Sequence, residues 1–261
     1  MTVRALIFDV DGTLVDSEEL HRRAYNQTFV DFGFGWEWNP DLYAQLLAVS
    51  GGEARIAHYI DLIDLTPAEK IRLRRLIPAI HREKTRLYSE LISGNVVRPR
   101  PGVARLMEEA RRADVRIGLV ASSASLNVEG LVTSALGREL RNAIAAIACG
   151  DMMVRKKPAP DIYELILTQL RASTSTTVAF EDSANGLEAA RAAGLYTIVT
   201  PSPWTIAHNF SGADLVLSSL GDPDKPFDPS DAAKIGASYL GLAQIEKLRS
   251  STIPALKVMP S

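Results

Sequence analysis

The chain has 261 residues, 46% of them hydrophobic and 23% charged, with a formal net charge of -2. That length supplies one or two domains with ample core, and the near-neutral balance gives no general basis for binding nucleic acid or an anionic membrane surface. A single cysteine, Cys149, excludes an intrachain disulfide and a cysteine-built zinc site. No apolar run reaches membrane-span length, and Met1-Thr2-Val3-Arg4 leads straight into an apolar strand, which leaves no room for a signal peptide. These features predict a soluble, monomeric, cytoplasmic protein, or a chloroplast stromal one if a transit peptide has been removed.

The first predicted strand, Ala5 to Phe8, runs into Asp9-Val10-Asp11-Gly12-Thr13. Asp-Gly is a common turn pair, so a simple turn is one reading. Two carboxylates at the carboxyl end of a buried strand are the other, because open α/β sheets hold their ligands there. Beyond Asp16 the pattern becomes helical. Ser17 is placed to N-cap a helix that opens with Glu18-Glu19 and carries Leu20, Ala24, Tyr25 and Phe29 on one broad face. Gly33 and Gly35 end it, Trp36 and Trp38 follow, and Asn39-Pro40 starts a second helix. Gly51-Gly52 precedes a third around Arg55 to Leu62. Thr66-Pro67-Ala68-Glu69 has capping-box spacing, and the basic helix it opens runs to about Leu91 with a kink expected at Pro78. No segment from 17 to 94 reads as a strand.

From Arg100-Pro101-Gly102 the chain alternates helix and strand. Helices are predicted at Val103 to Ala113, Leu126 to Leu136, Pro160 to Leu170 and Asn185 to Ala193. Strands are predicted at Val115 to Val120, Ile144 to Cys149, Thr177 to Phe180, Tyr196 to Thr200 and Asp214 to Leu217. Such alternation implies an α/β protein with a Rossmann-like parallel sheet covered on both faces, and an all-helical segment inserted after the first strand. The predicted division is a core of 1–16 and 95–220, a helical cap of 17–94, and a C-terminal segment of 221–261. That last segment contains a surface loop from Gly221 to Asp231, a helix near Leu240 to Leu248, and a loose tail. Cys149, at the end of an apolar run, reads as a buried structural thiol.

In a parallel sheet the carboxyl ends of all strands share one edge, so Asp9, Asp11, Ser122, Glu181 and Asp182 converge there with Lys157, which directly precedes a helix. Four carboxylates in one place repel strongly. An oxygen-only set of this kind suits Mg2+. Taken singly, Ser122 is a helix cap, Lys157 a solvated charge and Glu181-Asp182 a turn; taken together they form a site.

These motifs, Asp9-x-Asp11-Gly12-Thr13, Ser122, Lys157-Pro158-x-Pro160 and Glu181-Asp182, resemble those of the haloacid dehalogenase-like phosphatase superfamily. The resemblance spans residues 3 to 220. It implies phosphoryl transfer through an aspartyl-phosphate, with Asp9 as nucleophile, Asp11 as acid and base, Ser122 and Lys157 as phosphate partners, and Mg2+ held by Asp9, Glu181, Asp182 and the backbone carbonyl of Asp11. Dehalogenases of the superfamily generally lack the second aspartate, so Asp11 favours phosphate chemistry.

Further stretches resemble the CbbY-type phosphatases, which remove xylulose 1,5-bisphosphate, an inhibitor of Rubisco in the Calvin cycle. They are Glu19-Leu20-His21-Arg22-Arg23-Ala24-Tyr25-Asn26, Trp36-x-Trp38, Gly51-Gly52, Ile80-His81-Arg82-x-Lys84-Thr85 and Arg100-Pro101-Gly102-Val103. That resemblance implies a small sugar phosphate as the partner and a substrate-binding set of Asp16, His21, Gly51, Gly52, Arg55, His81, Lys84, Ser123 and Asn127. A bisphosphate would react at Asp9 and need cap cations such as Arg55, His81 and Lys84 for its second phosphate, while Arg22, Arg23 and Arg82 read as ordinary helix surface. Glu53-Ala54 departs from the Lys-Glu frequent in that family, and Asp16 stands where Glu is frequent. The alternatives are a sugar phosphomutase of the β-phosphoglucomutase type and a non-catalytic sugar-phosphate sensor.

Overall fold

A computed structural model describes residues 2–94 and 97–251. Six parallel strands form the sheet: β1 (Ala5–Asp9), β2 (Arg116–Ala121), β3 (Ile144–Cys149), β4 (Thr177–Glu181), β5 (Tyr196–Val199) and β6 (Leu215–Val216). Their order is β3-β2-β1-β4-β5-β6, so the chain steps outward from β1 in one direction and then crosses to its other side. Helices return the chain between successive strands up to β5, and a loop alone carries it from β5 to β6. β1 is central, paired with β2 and β4, and all five of its residues are buried. Its unbroken apolar run follows from that position, since a strand covered on both faces has no polar side.

Of the six helices among the described residues between β1 and β2, the first five fall in the inserted segment: α1 (Glu18–Asp31), α2 (Pro40–Leu46), α3 (Gly52–Leu62), α4 (Pro67–Arg74) and α5 (Ile77–Gly94). They bury a cluster of their own that includes Tyr25, Phe29, Trp38, Tyr43, Tyr59 and Ile80. Fully burying a side chain of that kind contributes roughly 1.5–3 kcal/mol. The capping box at Thr66 and Glu69 forms as predicted. The kink at Pro78 does not. The basic segment instead splits into α4 and α5, and Pro78 sits in the first turn of α5, where its missing N–H has no helical partner to lose.

The remaining helices flank the sheet: α6 (Val103–Arg112), α7 (Ser125–Ala143), α8 (Asp161–Leu170) and α9 (Ala184–Ala192). α6 buries Val103, Leu106, Met107 and Ala110, the spacing of one helical face. α7 runs past its predicted end, with a non-helical residue at Gly137. The C-terminal segment holds α10 (Pro229–Ile235) and α11 (Leu242–Ser251). α10 is a correction to the predicted loop: Asp228 accepts from the Asp231 N–H, with Pro229 at the first helical position. The Glu246 side chain of α11 accepts from the Val3 N–H beside β1, at 3.1 Å. Of the loose tail predicted after Leu248, residues 249–251 instead continue α11, while 252–261 lie outside the described residues, as do 95 and 96 at the predicted 94/95 boundary. No helix among the described residues is long and apolar enough to cross a membrane.

Candidate active site

The site forms at the carboxyl edge of the sheet because β1 and β4 end in register beside each other. Phe8 pairs with Phe180, their rings stack at 4.5 Å, and the next residues are Asp9 and Glu181. Asp9, Glu181 and Asp182 are all buried, and each offers a carboxylate oxygen within 4.8 Å of the others'. The Lys157 ammonium is buried among them, donating to Asp9 Oδ1 at 2.6 Å and to Glu181 Oε1 at 2.5 Å. Tyr163 of α8 adds a hydroxyl on the same Glu181 oxygen at 2.5 Å. Glu181 Oε2 accepts from the Asp182 N–H, so both oxygens of Glu181 are engaged. Asp182 Oδ2 accepts from the Thr205 hydroxyl at 3.0 Å.

Three buried carboxylates crowd together with one ammonium, which pairs with Asp9 and Glu181. Burial and the neighbouring Glu181 raise Asp9 well above the usual carboxyl range, against the opposing pull of Lys157. Burial and Glu181 likewise raise Asp182 to about 7. Burial alone would lower Lys157, but Asp9 and Glu181 hold it above the ordinary lysine value. This excess of buried negative charge, carried wholly on oxygen, fits a hard divalent cation such as Mg2+. Backbone shape clears the space. Gly12 has φ +87° and Gly186 lies in α9; a side chain at either would run into the carboxyl group of Asp182 or of Glu181, respectively.

Asp11 lies only two residues from Asp9 but meets different chemistry, and its side chain stands outside the metal-competent group. It accepts from Ser17 Oγ at 2.5 Å and Ser123 Oγ at 2.7 Å, and lies 3.2 Å from His21 Nε2. Burial would raise it, but His21 and the two hydroxyls together hold it well below the usual carboxylate range. Ser17 therefore serves Asp11 instead of capping α1 through its side chain. Lys84 Nζ lies 2.5 Å from His21 Nδ1, over the rings of Tyr25 and Tyr88. Burial lowers Lys84 to about 7 and, with the Lys84 charge, lowers His21. The consistent arrangement is a neutral imidazole that accepts from Lys84 at Nδ1 and donates to Asp11 at Nε2.

These groups line a cavity of about 1050 Å³ between the helical segment and the sheet edge. It includes Asp9, Asp11, Ser122, Ser123, Lys157 and Asp182, along with His21, Gly51, Gly52, Arg55, His81, Lys84 and Asn127. Glu181 lies beneath it, fully buried. Asp16 is the exception in the predicted set. It is exposed outside the cavity, 3.3 Å from the Arg100 guanidinium, because the chain turns outward there before entering α1. Arg82, predicted as plain surface, is exposed but reaches the cavity wall.

The predicted phosphate cations are already partly engaged. Arg55 donates to Leu46 O and Tyr43 Oη, and Tyr43 in turn donates to Glu18 Oε2 at 2.6 Å. His81 is lowered to about 4 by burial and by Lys84, His21 and Lys156. Asn127 accepts from Ser89 Oγ across the cavity at 2.8 Å. Sequence reasoning missed Tyr163, Thr205, Glu18 and Tyr43. Tyr163 sits six residues past Lys157 on α8, a spacing visible in the sequence, whereas the other three meet the site only through tertiary contact.

The haloacid dehalogenase-like hydrolase family profile matches residues 3–194. The chain is 42% identical to CbbY of Cupriavidus necator over 224 residues, covering 86% of this chain and 88% of that protein. A crystal structure of a CbbY variant from Rhodobacter sphaeroides in complex with xylulose 1,5-bisphosphate superposes with a TM-score of 0.77. It is 41% identical, with 85% of this chain and 98% of that one covered. A β-phosphoglucomutase from Clostridium difficile, 21% identical, shares the fold with a TM-score of 0.69 over 96% of this chain and 98% of that one.

Proposed function

Since the chain belongs to the haloacid dehalogenase-like hydrolase family, we propose that it hydrolyses a small sugar bisphosphate, xylulose 1,5-bisphosphate foremost, with Mg2+ and through a phosphoryl group carried on Asp9. The reaction class is that of a phosphoric monoester hydrolase. The observation that carries the mechanism is the different placement of two carboxylates two residues apart: Asp9 is held by Lys157 among Glu181 and Asp182, and Asp11 by Ser17, Ser123 and His21.

Asp9 Oδ1 is taken by Lys157, which leaves Oδ2 as the attacking atom. A bond forms from Asp9 to phosphorus as the bond from phosphorus to the sugar oxygen breaks. Lys157 and the Ser122 hydroxyl meet the charge on the transferring phosphoryl group. Asp9 and Asp182 are the residues to hold Mg2+, and what the ion supplies when bound is further neutralisation of that charge. Glu181, saturated by Lys157, Tyr163 and the Asp182 N–H, aims the ammonium.

Asp11 delivers a proton to the departing sugar oxygen, so it must first gain one. The Lys84–His21–Asp11 chain of contacts is the route: Lys84 passes a proton to His21 Nδ1 while His21 Nε2 gives one to Asp11, once a departing oxygen is there to take it on. In the second half, Asp11 takes a proton from the water that attacks phosphorus, and orthophosphate leaves Asp9.

Residues 17–94 act as the cap that closes the cavity and reads the rest of the substrate. The second phosphate meets Arg55 and the Gly51-Gly52 turn at the start of α3, while Lys84 is spent on His21. The test is a screen of sugar mono- and bisphosphates with Mg2+, scored by orthophosphate release. Stoichiometric release from xylulose 1,5-bisphosphate, abolished by Asp9→Asn, is the expected result. Isomerised sugar phosphate without release would make it a mutase, and binding without turnover a sensor.

A further inference from the structure

The loop after β5 lies beyond the family-matched residues and reaches two places at once. Thr205 is buried and donates to Asp182 Oδ2 at 3.0 Å. Its oxygen also accepts from the Ser202 N–H at 2.9 Å. Ser202 Oγ lies 3.0 Å from the same oxygen, and with Ser202 donating there too the Thr205 proton is left for Asp182. The adjacent residue, Trp204, packs on the helical cluster, with its ring edge-on to Tyr43 at 5.4 Å and 89°. The hydroxyl of that same Tyr43 holds Glu18 and accepts from Arg55, both on the cavity wall. The base of the loop is pinned by Arg100, which donates to Thr200 O and Pro201 O. Trp204 and Thr205 are therefore the adjacent residues through which this loop touches the helical cluster and the Asp182 carboxylate.

We infer that Thr205 is a positioning residue for the Asp182 carboxylate, and that Trp204, seated on Tyr43, makes this positioning depend on where the helical segment sits. Thr205 fixes the rotation of the carboxylate by holding Oδ2, and with it the direction in which Asp182 faces the group around Asp9. If the helical segment moves away, Trp204 loses its seat, and the adjoining Thr205 loses the restraint that keeps it on Asp182. Formation of the substrate-reading wall and the aim of a metal carboxylate are then one event. The inference rests on the reading of Asp182 as a Mg2+ ligand.

The experiment is calorimetric titration of the full chain with Mg2+ alone. Thr205→Val, which keeps the shape and removes the hydroxyl, should raise the Mg2+ dissociation constant about tenfold, the usual scale for losing a residue that orients a metal ligand. Thr205→Ser should restore it to within about twofold. Trp204→Ala should raise it about threefold in the Thr205 protein and add nothing to Thr205→Val, since residues acting in series are non-additive. A purely structural role would lower the melting temperature without this ordering. If Thr205→Val binds Mg2+ like the parent, Thr205 positions nothing. If Trp204→Ala leaves binding unchanged, the link to the helical segment is wrong, and Trp204→Leu is read the same way should Trp204→Ala not fold. A parent protein that binds no Mg2+ overturns the metal reading itself, and the inference with it.

Discussion

The two walls of the cavity solve different problems. On the sheet side, Asp9, Lys157, Glu181 and Asp182 are buried, hydrogen-bonded to one another, and delivered by the ends of strands or the turn that leads into α8. On the helical side, Arg55, His81 and Arg82 are partly or fully exposed, and several cations there are already spent on neighbours of their own. Rigid placement suits chemistry that every substrate of the family shares. A wall of committed, partly exposed groups suits recognition, where one or two atoms decide the outcome. Lys84 and His21 cross that division, belonging by sequence to the helical side and by contact to Asp11.

That contrast is most severely tested at Asp9. Asp9→Asn should cost about 10⁴-fold or more in kcat on every substrate, as loss of a nucleophile does. A comparable loss confined to one sugar phosphate would show that the sheet side also reads the substrate. Stripping divalent ions should abolish turnover and leave a pH signature in calorimetry. Asp182, raised to about 7, keeps a proton that it would lose at the ordinary carboxyl value of 3.8 in the unfolded chain. Between those values the folded state binds more protons, so the melting temperature of ion-free protein should fall as pH rises from about 4 to about 7. Added Mg2+ should flatten that slope.

Lys84→Met probes the residue that crosses the division. It should lower kcat on the order of 10²-fold, the scale of a lost proton-transfer route, while raising the melting temperature. Lys84 titrates near 7 in the fold against an ordinary value of 10.5, so between these the unfolded chain binds the extra proton and the parent gains stability with pH. The thermal advantage of Lys84→Met is therefore greatest below pH 7 and shrinks as pH rises toward 10.5. Arg55→Ala should raise KM for a bisphosphate about tenfold and leave KM for an aryl phosphate nearly unchanged. Equal effects would remove Arg55 from the distal phosphate. The smallest effect belongs to Asp16→Ala, expected to stay within about twofold in KM because an exposed ion pair contributes little.

The sheet side was the more legible in sequence, for a physical reason. Parallel strands bring their carboxyl ends to one edge whatever their order, so Asp9, Ser122, Lys157, Glu181 and Asp182 could be gathered without knowing the topology. Helical contacts carry no such rule. Asp16 lies next to Ser17 in sequence, but the chain turns between them, sending Ser17 to Asp11 and Asp16 to Arg100. Thr205 and Tyr43 meet the site through packing that no spacing encodes. Pro78 is ambiguous in sequence because a proline that kinks a helix and one that begins it look alike until the break before it is known. At α10 the signal is present but masked, since Asp228-Pro229 is a helix-start pair set in an aspartate- and proline-rich stretch that resembles a loop.

Cys149 is the only thiol in the sequence; burial pushes it up to about 11 and leaves it closed to solvent. The protein is thus a nearly silent background for thiol-directed labelling. A cysteine introduced at exposed Asp64 and another at exposed Glu188 would accept a donor–acceptor dye pair while Cys149 stays unmodified. The separation between the helical segment and the sheet could then be followed in solution, molecule by molecule, as Mg2+ and sugar phosphates are added.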